Sequence, residues 1–539
     1  MKKLFLTCAA IVVACAAMAA ECVIIPRPAS YEPQKGKCAL SSKTVVYVAD
    51  KSLVRPATIF CKYVAEEKGL QLNVAEGVAP SNGAIVLSID KNLTPEGYTL
   101  DITKGGVVIK GGSEQGVFYG LQSLRQVVFH SKGGKKVKVE CMKVEDKPHF
   151  AYRGGMLDVC RHIFSVEEVK KYIDILAMHK MNRFHWHLTE DQGWRIEIKK
   201  YPNLTKVGSM RKETLVGLHT KKNNNYDGKP YGGFFTQEQV RDIVRYAAER
   251  YIEVIPEIDM PGHMVAALAS YPELGCTKGP YEVRTRWGIS KDVLCVGRES
   301  TFEFIEGVLD EVAALFPSKF IHIGGDECPK HRWKVCPECQ QRMKEEGLKD
   351  EHELQSYFMK RVEKYLSEKH GRSIIGWDEI LEGGVSKTAT VMAWRGAQRG
   401  ILAAKLGNQV IMTPRHYCYL DYCQTSDHDG NNEPICAAGN GKKYQLPLRK
   451  AYSLDPYNEL NEEQRKVIVG VQGNMWTEYV ATFDHVQHMI LPRTAALAEV
   501  GWSYGNQNYD DFARRMHLLR KLYDKCGFKY APYFFNGIE

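Results

Sequence analysis

The chain has 539 residues, of which 25% are charged and 44% hydrophobic, and its formal net charge is +9. This length is more than one ordinary domain needs, and the composition is typical of a soluble globular protein. Lysine and arginine are interspersed with acids and form no long basic block, so a nucleic-acid partner is not predicted.

Residues 1–20 have the pattern of an export signal. Two lysines precede a short apolar run, which ends in a stretch of small residues. The run is too short to cross a bilayer, and no later run reaches the roughly 18 apolar residues of a membrane helix. We therefore expect an exported protein, periplasmic or extracellular, without a transmembrane segment. One alternative is a lipid anchor on Cys15, because Val12-Val13-Ala14-Cys15 resembles a bacterial lipoprotein box.

Residues 21–150 are predicted to form a small α+β domain. Short apolar or alternating segments predict strands, and two longer segments with helical spacing predict helices. The predicted strands are Thr44–Val48, Ala84–Ile89, Tyr98–Ile102 and Gly106–Ile109, and the predicted helices are Arg55–Gly69 and Gly116–His130. Clustered catalytic residue types are not found in this part of the sequence.

Residues 151–539 alternate between apolar strands and helical segments, which predicts a (β/α)8 barrel. The eight predicted strands are Gly154–Asp158, Asn182–Leu188, Glu253–Ile258, Phe320–Ile323, Ser373–Trp377, Thr390–Trp394, Gln409–Thr413 and Val467–Gln472. An open doubly wound sheet is the alternative fold, but no glycine-rich phosphate loop follows a strand.

Seven helices are predicted within this barrel region. Ser165, followed three residues later by Glu168, predicts a capping box at the start of the first. The predicted helices are Ser165–Met181, Thr236–Tyr251, Ser300–Phe316, Glu351–Lys369, Ala397–Leu406, Asp484–Glu499 and Asp510–Cys526.

The cysteines allow two kinds of cross-link. In an oxidising compartment some of them are expected to pair, and Cys276 with Cys295 is the best candidate for a disulfide. The alternative is a zinc site formed by Cys328, His331, Cys336 and Cys339, whose spacing suits a metal, although disulfides or free thiols are favoured there by the export signal.

Two adjacent carboxylates follow the fourth predicted strand, where Gly324 and Gly325 lead into Asp326 and Glu327. Acids side by side repel each other and lose hydration when buried, so a stable core rarely ends a strand in this way. The glycines, which lack Cβ atoms, are expected to let a ligand approach the backbone. Neighbours on an extended chain point in diverging directions, so the two acids are expected to reach different parts of one substrate.

Tryptophans lie at or shortly after the ends of three of the other predicted strands. Trp377, Trp394 and Trp476 each have an acid or an arginine within two residues. Indole faces stack on the CH groups of sugars, while carboxylates and guanidinium groups bind hydroxyls. Because active sites lie at the C-terminal ends of barrel strands, this pattern predicts a carbohydrate pocket.

Two other classes of function compete with a sugar hydrolase. A metal-dependent hydrolase would use His185, His187 and His263 as ligands, but it leaves the tryptophans and the paired acids without a role. A non-catalytic sugar-binding protein would use the tryptophans and would not need adjacent carboxylates. If the substrate carries a 2-acetamido group, the carbonyl of that group can attack the anomeric carbon while Glu327 protonates the leaving oxygen.

Several ordered segments resemble glycoside hydrolase family 20, the β-N-acetylhexosaminidases. These segments are His322–Glu327, Arg161-His162, Trp186-His187-Leu188, Pro261-Gly262-His263, Gly376-Trp377-Asp378 and Trp476-Thr477-Glu478. The resemblance covers nearly all of the chain after residue 20. It implies an exo-acting, retaining enzyme that removes terminal GlcNAc or GalNAc from glycans by substrate-assisted catalysis, without a metal or an organic cofactor.

The resemblance also implies catalytic roles. Glu327 would be the general acid/base, Asp326 would assist the acetamido nucleophile, and Tyr419 would donate a hydrogen bond to the acetamido oxygen. His263 would support Glu327 through a neighbouring acid. The family commonly has an aspartate where this chain has Glu190, so Glu190 and Asp191 both remain candidates for that acid.

The remaining implied residues bind the sugar. Arg161 would bind the 3- and 4-hydroxyls of the terminal sugar, and Asp421 and Glu478 the outer hydroxyls. The residues implied to line the acetamido and ring pocket, or to lie beside it, are Trp377, Trp394, Trp476 and His187.

Overall fold

A computed structural model of the chain describes residues 21–77, 82–425 and 445–538. It consists of a small α+β domain followed by a closed (β/α)8 barrel, so the predicted fold class is confirmed. The predicted export signal and Cys15 lie outside the described residues. Among the helices described, none combines the length and the apolar character needed to span a membrane.

The small domain is built on one mixed sheet. Along the sheet, the order of strands is Ser30–Ser41, Lys136–Asp146, Tyr98–Thr103, Gly106–Gly111, Ala84–Ile89, Val45–Val48 and Asn73–Glu76. The short strand Lys132–Gly133 lies outside this order and pairs with the start of Lys136–Asp146. Two helices, Val54–Lys68 and Glu114–His130, pack on this sheet and against each other.

Four strands of the small domain were not predicted: Ser30–Ser41, Asn73–Glu76, Lys132–Gly133 and Lys136–Asp146. The first of them contains a proline and is largely solvent-exposed, so it has little apolar pattern. The strand Lys136–Asp146 alternates buried valines with exposed lysines, a period-two signal that the sequence does contain.

All eight predicted barrel strands are present, and they close into a parallel barrel. They are Tyr152–Asp158, Arg183–His187, Glu253–Met260, Phe320–Gly324, Ser373–Trp377, Thr390–Ala393, Val410–Met412 and Ile468–Met475, and the first pairs with the last. We call them barrel strands 1 to 8. The open-sheet alternative is therefore wrong.

The barrel helices match their predicted positions with one exception. Ser165 forms the predicted capping box with Glu168. The helices at the predicted positions are Val166–Met178, Gln237–Ala248, Glu299–Leu315, Glu351–His370, Ala397–Leu406, Phe483–Ile490, Arg493–Trp502 and Tyr509–Cys526. Further helices, among them Pro337–Glu345, lie in the loops. The single helix predicted over Asp484–Glu499 is two helices, because Pro492 lacks an N–H and caps the second one.

The predicted disulfide between Cys276 and Cys295 is wrong, since both are free cysteines in the structure. The alternative cysteine–histidine set is also incorrect. Cys336 and Cys339 lie beside Cys276 and Cys295, and neither Cys328 nor His331 belongs to that group of residues.

Asp146 joins the small domain to the barrel. Its carboxylate is buried at the end of its strand, where it accepts hydrogen bonds from Tyr98 Oη at 2.6 Å and Trp502 Nε1 at 2.8 Å. Lys180 Nζ, also fully buried, lies 3.2 Å from the same carboxylate. A buried ammonium needs such a partner, because burial without one is costly.

Replacing Asp146 with alanine is expected to lower the free energy of unfolding by about 3–5 kcal/mol, because Lys180 would remain buried without its counter-charge. Chemical denaturation monitored by circular dichroism measures the change. The matched control is Glu145→Ala, which removes an exposed partner of Lys143 and is expected to cost about 0–1 kcal/mol. Equal losses in the two variants would contradict the role given to Asp146.

Candidate active site

A cavity of about 560 Å³ opens at the C-terminal ends of the barrel strands. Its size is in the usual range for small-molecule sites. The lining residues are Arg161, Glu190, Leu218, His219, Thr220, Asp259, His263, Asp326, Glu327, Trp394, Tyr419, Asp421, Tyr422, Trp476, Glu478 and Tyr479. Ten of the twelve residues predicted for the site therefore line this one cavity.

The backbone around the paired acids is not extended. Gly324 and Gly325 have φ values of 65° and 98°, and Glu327 has a φ of 41°, in the left-handed region that favours glycine. This turn corrects the expectation that the two acids diverge. The carboxylates of Asp326 and Glu327 both lie 3.7 Å from Nε2 of His263.

The two glycines make room for protein atoms rather than for a ligand. A Cβ atom on Gly324 would lie 1.7 Å from Asp259 Oδ1, and one on Gly325 would lie 2.6 Å from a methyl carbon of Ile380. Asp259 can therefore approach the end of barrel strand 4 only because residue 324 has no side chain.

The exposures of the two acids differ. The side chain of Asp326 is 12% exposed, whereas that of Glu327 is 35% exposed. Burial, together with the negative charge of Glu327, raises the pKa of Asp326 to about 6, against the opposing effect of His263. Asp326 thus lies deeper in the cavity, and Glu327 faces its opening.

Glu190, rather than Asp191, is the partner of His263. Glu190 Oε1 lies 2.7 Å from His263 Nδ1, and the same oxygen accepts a hydrogen bond from Arg161. Asp191 instead pairs with Arg284 at 2.9 Å. The longer side chain at position 190 therefore spans the distance between the guanidinium and the imidazole.

This arrangement fixes the charges of its members. Burial opposes ionisation of Glu190, but the positive charges of Arg161 and His263 lower its pKa to about 2. Burial also disfavours a charged His263, yet the carboxylates of Glu190 and Asp259 hold its pKa well above the usual range. The imidazolium is therefore present at neutral pH beside Asp326 and Glu327.

Aromatic side chains form one wall of the cavity. Trp394 and Tyr419 stack with ring centroids 5.8 Å apart and planes inclined by 14°, and Tyr419 lies 6.3 Å from Trp476. The guanidinium of Arg161 lies 5.1 Å from the centre of the Trp476 ring. Burial raises the pKa of Tyr419 well above its ordinary value, so its hydroxyl remains a hydrogen-bond donor.

Four carboxylate oxygens in the cavity have no hydrogen-bond partner among the described residues. They belong to Asp259, Asp326, Asp421 and Glu478. Buried polar atoms are normally satisfied, so such atoms in a cavity indicate a ligand that carries hydrogen-bond donors. Burial and the nearby negative charge of Glu478 raise the pKa of Asp421.

His187 and Trp377 lie behind the cavity wall rather than in it as predicted. Both are buried, and both bind the carboxylate of Glu257, His187 through Nδ1 and Trp377 through Nε1 at 2.8 Å. Each also packs against Trp476. They therefore position the aromatic wall.

Comparisons with known proteins identify the family of the chain. The model of "Glycosyl hydrolase family 20, catalytic domain" matches residues 150–504, and that of "Glycosyl hydrolase family 20, domain 2" matches residues 21–147. Together they cover most of the sequence.

The chain belongs to glycosyl hydrolase family 20.

Individual members of family 20 are similar over long stretches. A beta-hexosaminidase of Porphyromonas gingivalis is 46% identical over 517 residues, which are 94% of this chain and 64% of that protein. The chain thus spans less than two thirds of the length of that relative.

Two solved family 20 structures share the fold. An exo beta-N-acetylglucosaminidase from Vibrio harveyi, crystallised with N-acetylglucosamine, has a TM-score of 0.82 and 31% identity over 94% of this chain and 78% of its own. A beta-N-acetylhexosaminidase from Bacteroides fragilis has a TM-score of 0.79 and 33% identity, covering 94% and 97% of the two chains.

Two acids of this family 20 site were missing from the predicted set. Asp259 lines the cavity, and Glu257 lies beneath it, where His185, His187 and His322 surround its carboxylate. Both lie among buried apolar residues inside barrel strand 3. An acid inside such a strand is costly to bury, so its presence there was the sequence signal that could have identified these two residues as functional.

Replacing Gly324 with alanine tests the close approach of Asp259. A left-handed residue other than glycine costs about 1–2 kcal/mol, and the clash is expected to add about 1–3 kcal/mol. The matched control is Gly347→Ala, because Gly347 has a φ of 64° and open space around its Cβ position. Denaturant midpoints of the two variants give the comparison. Equal destabilisation would show that Asp259 does not restrict this position.

Proposed function

We propose that the protein is an exo-acting, retaining β-N-acetylhexosaminidase. In this proposal it removes terminal non-reducing GlcNAc or GalNAc from oligosaccharides or glycoconjugates. The observation that carries the proposal is the pair of unequal acids, Asp326 deep in the cavity and Glu327 at its opening, both beside a protonated His263. Acids in such different environments suit different roles in one reaction.

The cavity fits the end of a sugar chain. Arg161 provides donors, and the unpartnered oxygens of Asp421 and Glu478 provide acceptors, so together they match sugar hydroxyls. The indole of Trp476 offers the flat apolar surface on which a pyranose ring stacks. The relative from Vibrio harveyi, whose structure holds N-acetylglucosamine, supports this assignment.

The first step in the proposed mechanism uses the substrate as nucleophile. The carbonyl oxygen of the 2-acetamido group attacks the anomeric carbon, and the bond to the leaving oxygen breaks as Glu327 gives that oxygen its proton. Asp326 accepts a hydrogen bond from the acetamido N–H and offsets the positive charge that develops on the ring. Tyr419 donates a hydrogen bond to the acetamido oxygen and so orients it.

The second step returns the enzyme to its starting state. Glu327, now a carboxylate, takes a proton from a water molecule, and the resulting oxygen attacks the anomeric carbon from the face that the leaving group occupied. The bond between that carbon and the acetamido oxygen breaks, so the product retains its configuration. Glu190, itself held by Arg161, keeps His263 in place throughout, because its negative charge holds the ring and favours the imidazolium.

Export is proposed for this protein on the pattern of residues 1–20. A disulfide-bonded Cys423 supports an oxidising compartment such as the periplasm or the cell exterior. A lipid anchor on Cys15 would keep the enzyme at a membrane, whereas cleavage near residue 20 would release it. The N-terminal residue of the mature protein distinguishes the two.

The roles of the two acids are tested with aryl N-acetyl-β-glucosaminides whose leaving groups differ in pKa. For Glu327→Gln, kcat/KM is expected to fall about 100- to 10,000-fold with a poor leaving group and much less with a good one, which needs little protonation. Asp326→Asn is expected to lose activity on all of them alike, because it acts on the acetamido group.

The same loss on good and poor leaving groups for Glu327→Gln would refute its assignment as the acid. An N-acetylglucosamine-thiazoline, which mimics the cyclised intermediate, serves as the mechanistic control. It is expected to inhibit the wild type competitively and to bind Asp326→Asn far more weakly. A non-catalytic sugar-binding protein would turn over none of these substrates.

The pH dependence tests the state of Asp326. Its pKa is raised to about 6, so the group is protonated below that pH and ionised above it. Since the proposed mechanism needs the carboxylate, kcat/KM is expected to fall roughly tenfold per pH unit below about pH 6. Enzyme incubated at low pH and assayed at neutral pH controls for unfolding. Persistence of the same acidic limb in Asp326→Asn would assign it to another group.

A further inference from the structure

Four cysteines outside the active site lie close enough to share one ligand. Cys276 and Cys295 belong to the loop after barrel strand 3, and Cys336 and Cys339 belong to the loop after barrel strand 4. Their sulfur atoms all lie within 4.8 Å of one another. We call this group the four-cysteine cluster, and we propose that it binds one structural zinc ion.

The sulfur–sulfur distances match a zinc tetrahedron. Cys276 and Cys339 are 3.8 Å apart at Sγ, Cys295 and Cys336 are 3.7 Å apart, and Cys295 and Cys339 are 3.6 Å apart. For Zn–S bonds of about 2.3 Å, a regular tetrahedron separates its sulfur ligands by about 3.8 Å. The cluster is thus already arranged around a common centre.

The arrangement differs from that of two disulfides. A disulfide places its sulfurs about 2.0 Å apart in exclusive pairs, whereas Cys295 and Cys339 each have two sulfur neighbours at similar distances. All four are free cysteines, although the same structure contains a disulfide at Cys423. Shared, near-equal distances are typical of thiolates around a metal.

The surroundings of the cluster suit a closed structural site. Cys295, Cys336 and Cys339 are buried, and four protein ligands leave no position open for a substrate.

The charge balance involves three neighbouring side chains. Zinc with four thiolates carries two negative charges, and Arg298 and Lys278 lie next to the cluster, each 3.3 Å from the carboxylate of Glu338. The thiol of Cys336 lies 3.2 Å from that carboxylate. On binding zinc the four thiols release their protons to solvent, and Glu338 retains its two cationic partners.

The position of the cluster suggests what the metal does. His263 lies near the start of the loop after barrel strand 3, and Asp326 and Glu327 lie near the start of the loop after barrel strand 4. A Cβ atom on Gly297 would lie 2.2 Å from the backbone of Glu338, so the two loops are in backbone contact beside the cluster. Zinc at this point would fasten together the two loops that carry the catalytic groups.

Metal analysis of the full chain tests the proposal independently of its enzymatic activity. Protein purified from zinc-supplemented cells without chelators is expected to contain about one zinc per chain, measured by inductively coupled plasma mass spectrometry. Cys339→Ser and Cys276→Ser are expected to lose nearly all of it. Cys328→Ser is the matched control, because Cys328 lies in the same loop but outside the cluster, and it is expected to keep the metal.

Two further measurements use the wild-type chain and therefore remain informative even if a variant fails to fold. Treatment with an organomercurial, which blocks thiols, is expected to release the zinc to a colorimetric chelator. Cobalt-substituted protein is expected to show the visible and near-ultraviolet bands of a tetrahedral thiolate site. Zinc-free protein in which peptide mapping finds the four cysteines in two disulfides would overturn the proposal, as would equal zinc contents in the wild type and Cys339→Ser.

Discussion

The candidate active site has to hold six carboxyl groups with very little positive charge. The six belong to Glu190, Asp259, Asp326, Glu327, Asp421 and Glu478. Among the described residues that line the cavity, Arg161 is always charged, and His263 is kept protonated by its acidic neighbours. The excess of acid is partly relieved by protonation, since the pKa values of Asp326, Asp421 and Glu478 are all raised. A cavity with this balance suits a neutral ligand rich in hydroxyls, and it favours a reaction in which the substrate becomes positive.

The two positively charged side chains, Arg161 and His263, lie where they contact several of the acids. Arg161 and His263 meet at Glu190, and His263 then faces Asp326 and Glu327. These residues follow barrel strands 1, 2, 3 and 4 in turn, so each of the four strand ends contributes one part of this series of contacts. No local segment of the chain contains the arrangement, which exists only once the strands are side by side. The barrel therefore determines the protonation states, and the protonation states determine which acid takes which part in the proposed reaction.

The fold and most of the site were predictable because barrel strands are apolar and their ends are not. Asp326, Glu327 and Trp476 are visible in the sequence as polar or aromatic residues directly after apolar runs. The unpredicted features depend on contacts between distant parts of the chain. The left-handed turn at Glu327 brings both acids to His263, whereas an extended chain would separate them. Glu257 is tolerable inside barrel strand 3 only because histidines from neighbouring strands surround it.

The left-handed backbone at two of the proposed catalytic residues requires support from the rest of the structure. His263 and Glu327 have φ values of 53° and 41°, and a non-glycine residue in such a conformation costs about 1–3 kcal/mol. A residue keeps this conformation only where contacts with the rest of the structure prevent it from adopting one of lower energy. Glu190 holds the ring of His263 from one side, and the backbone contact between Gly297 and Glu338 fixes the two loops from the other. The four-cysteine cluster lies at that contact, so a zinc ion there would resist the loop movements that relax both residues.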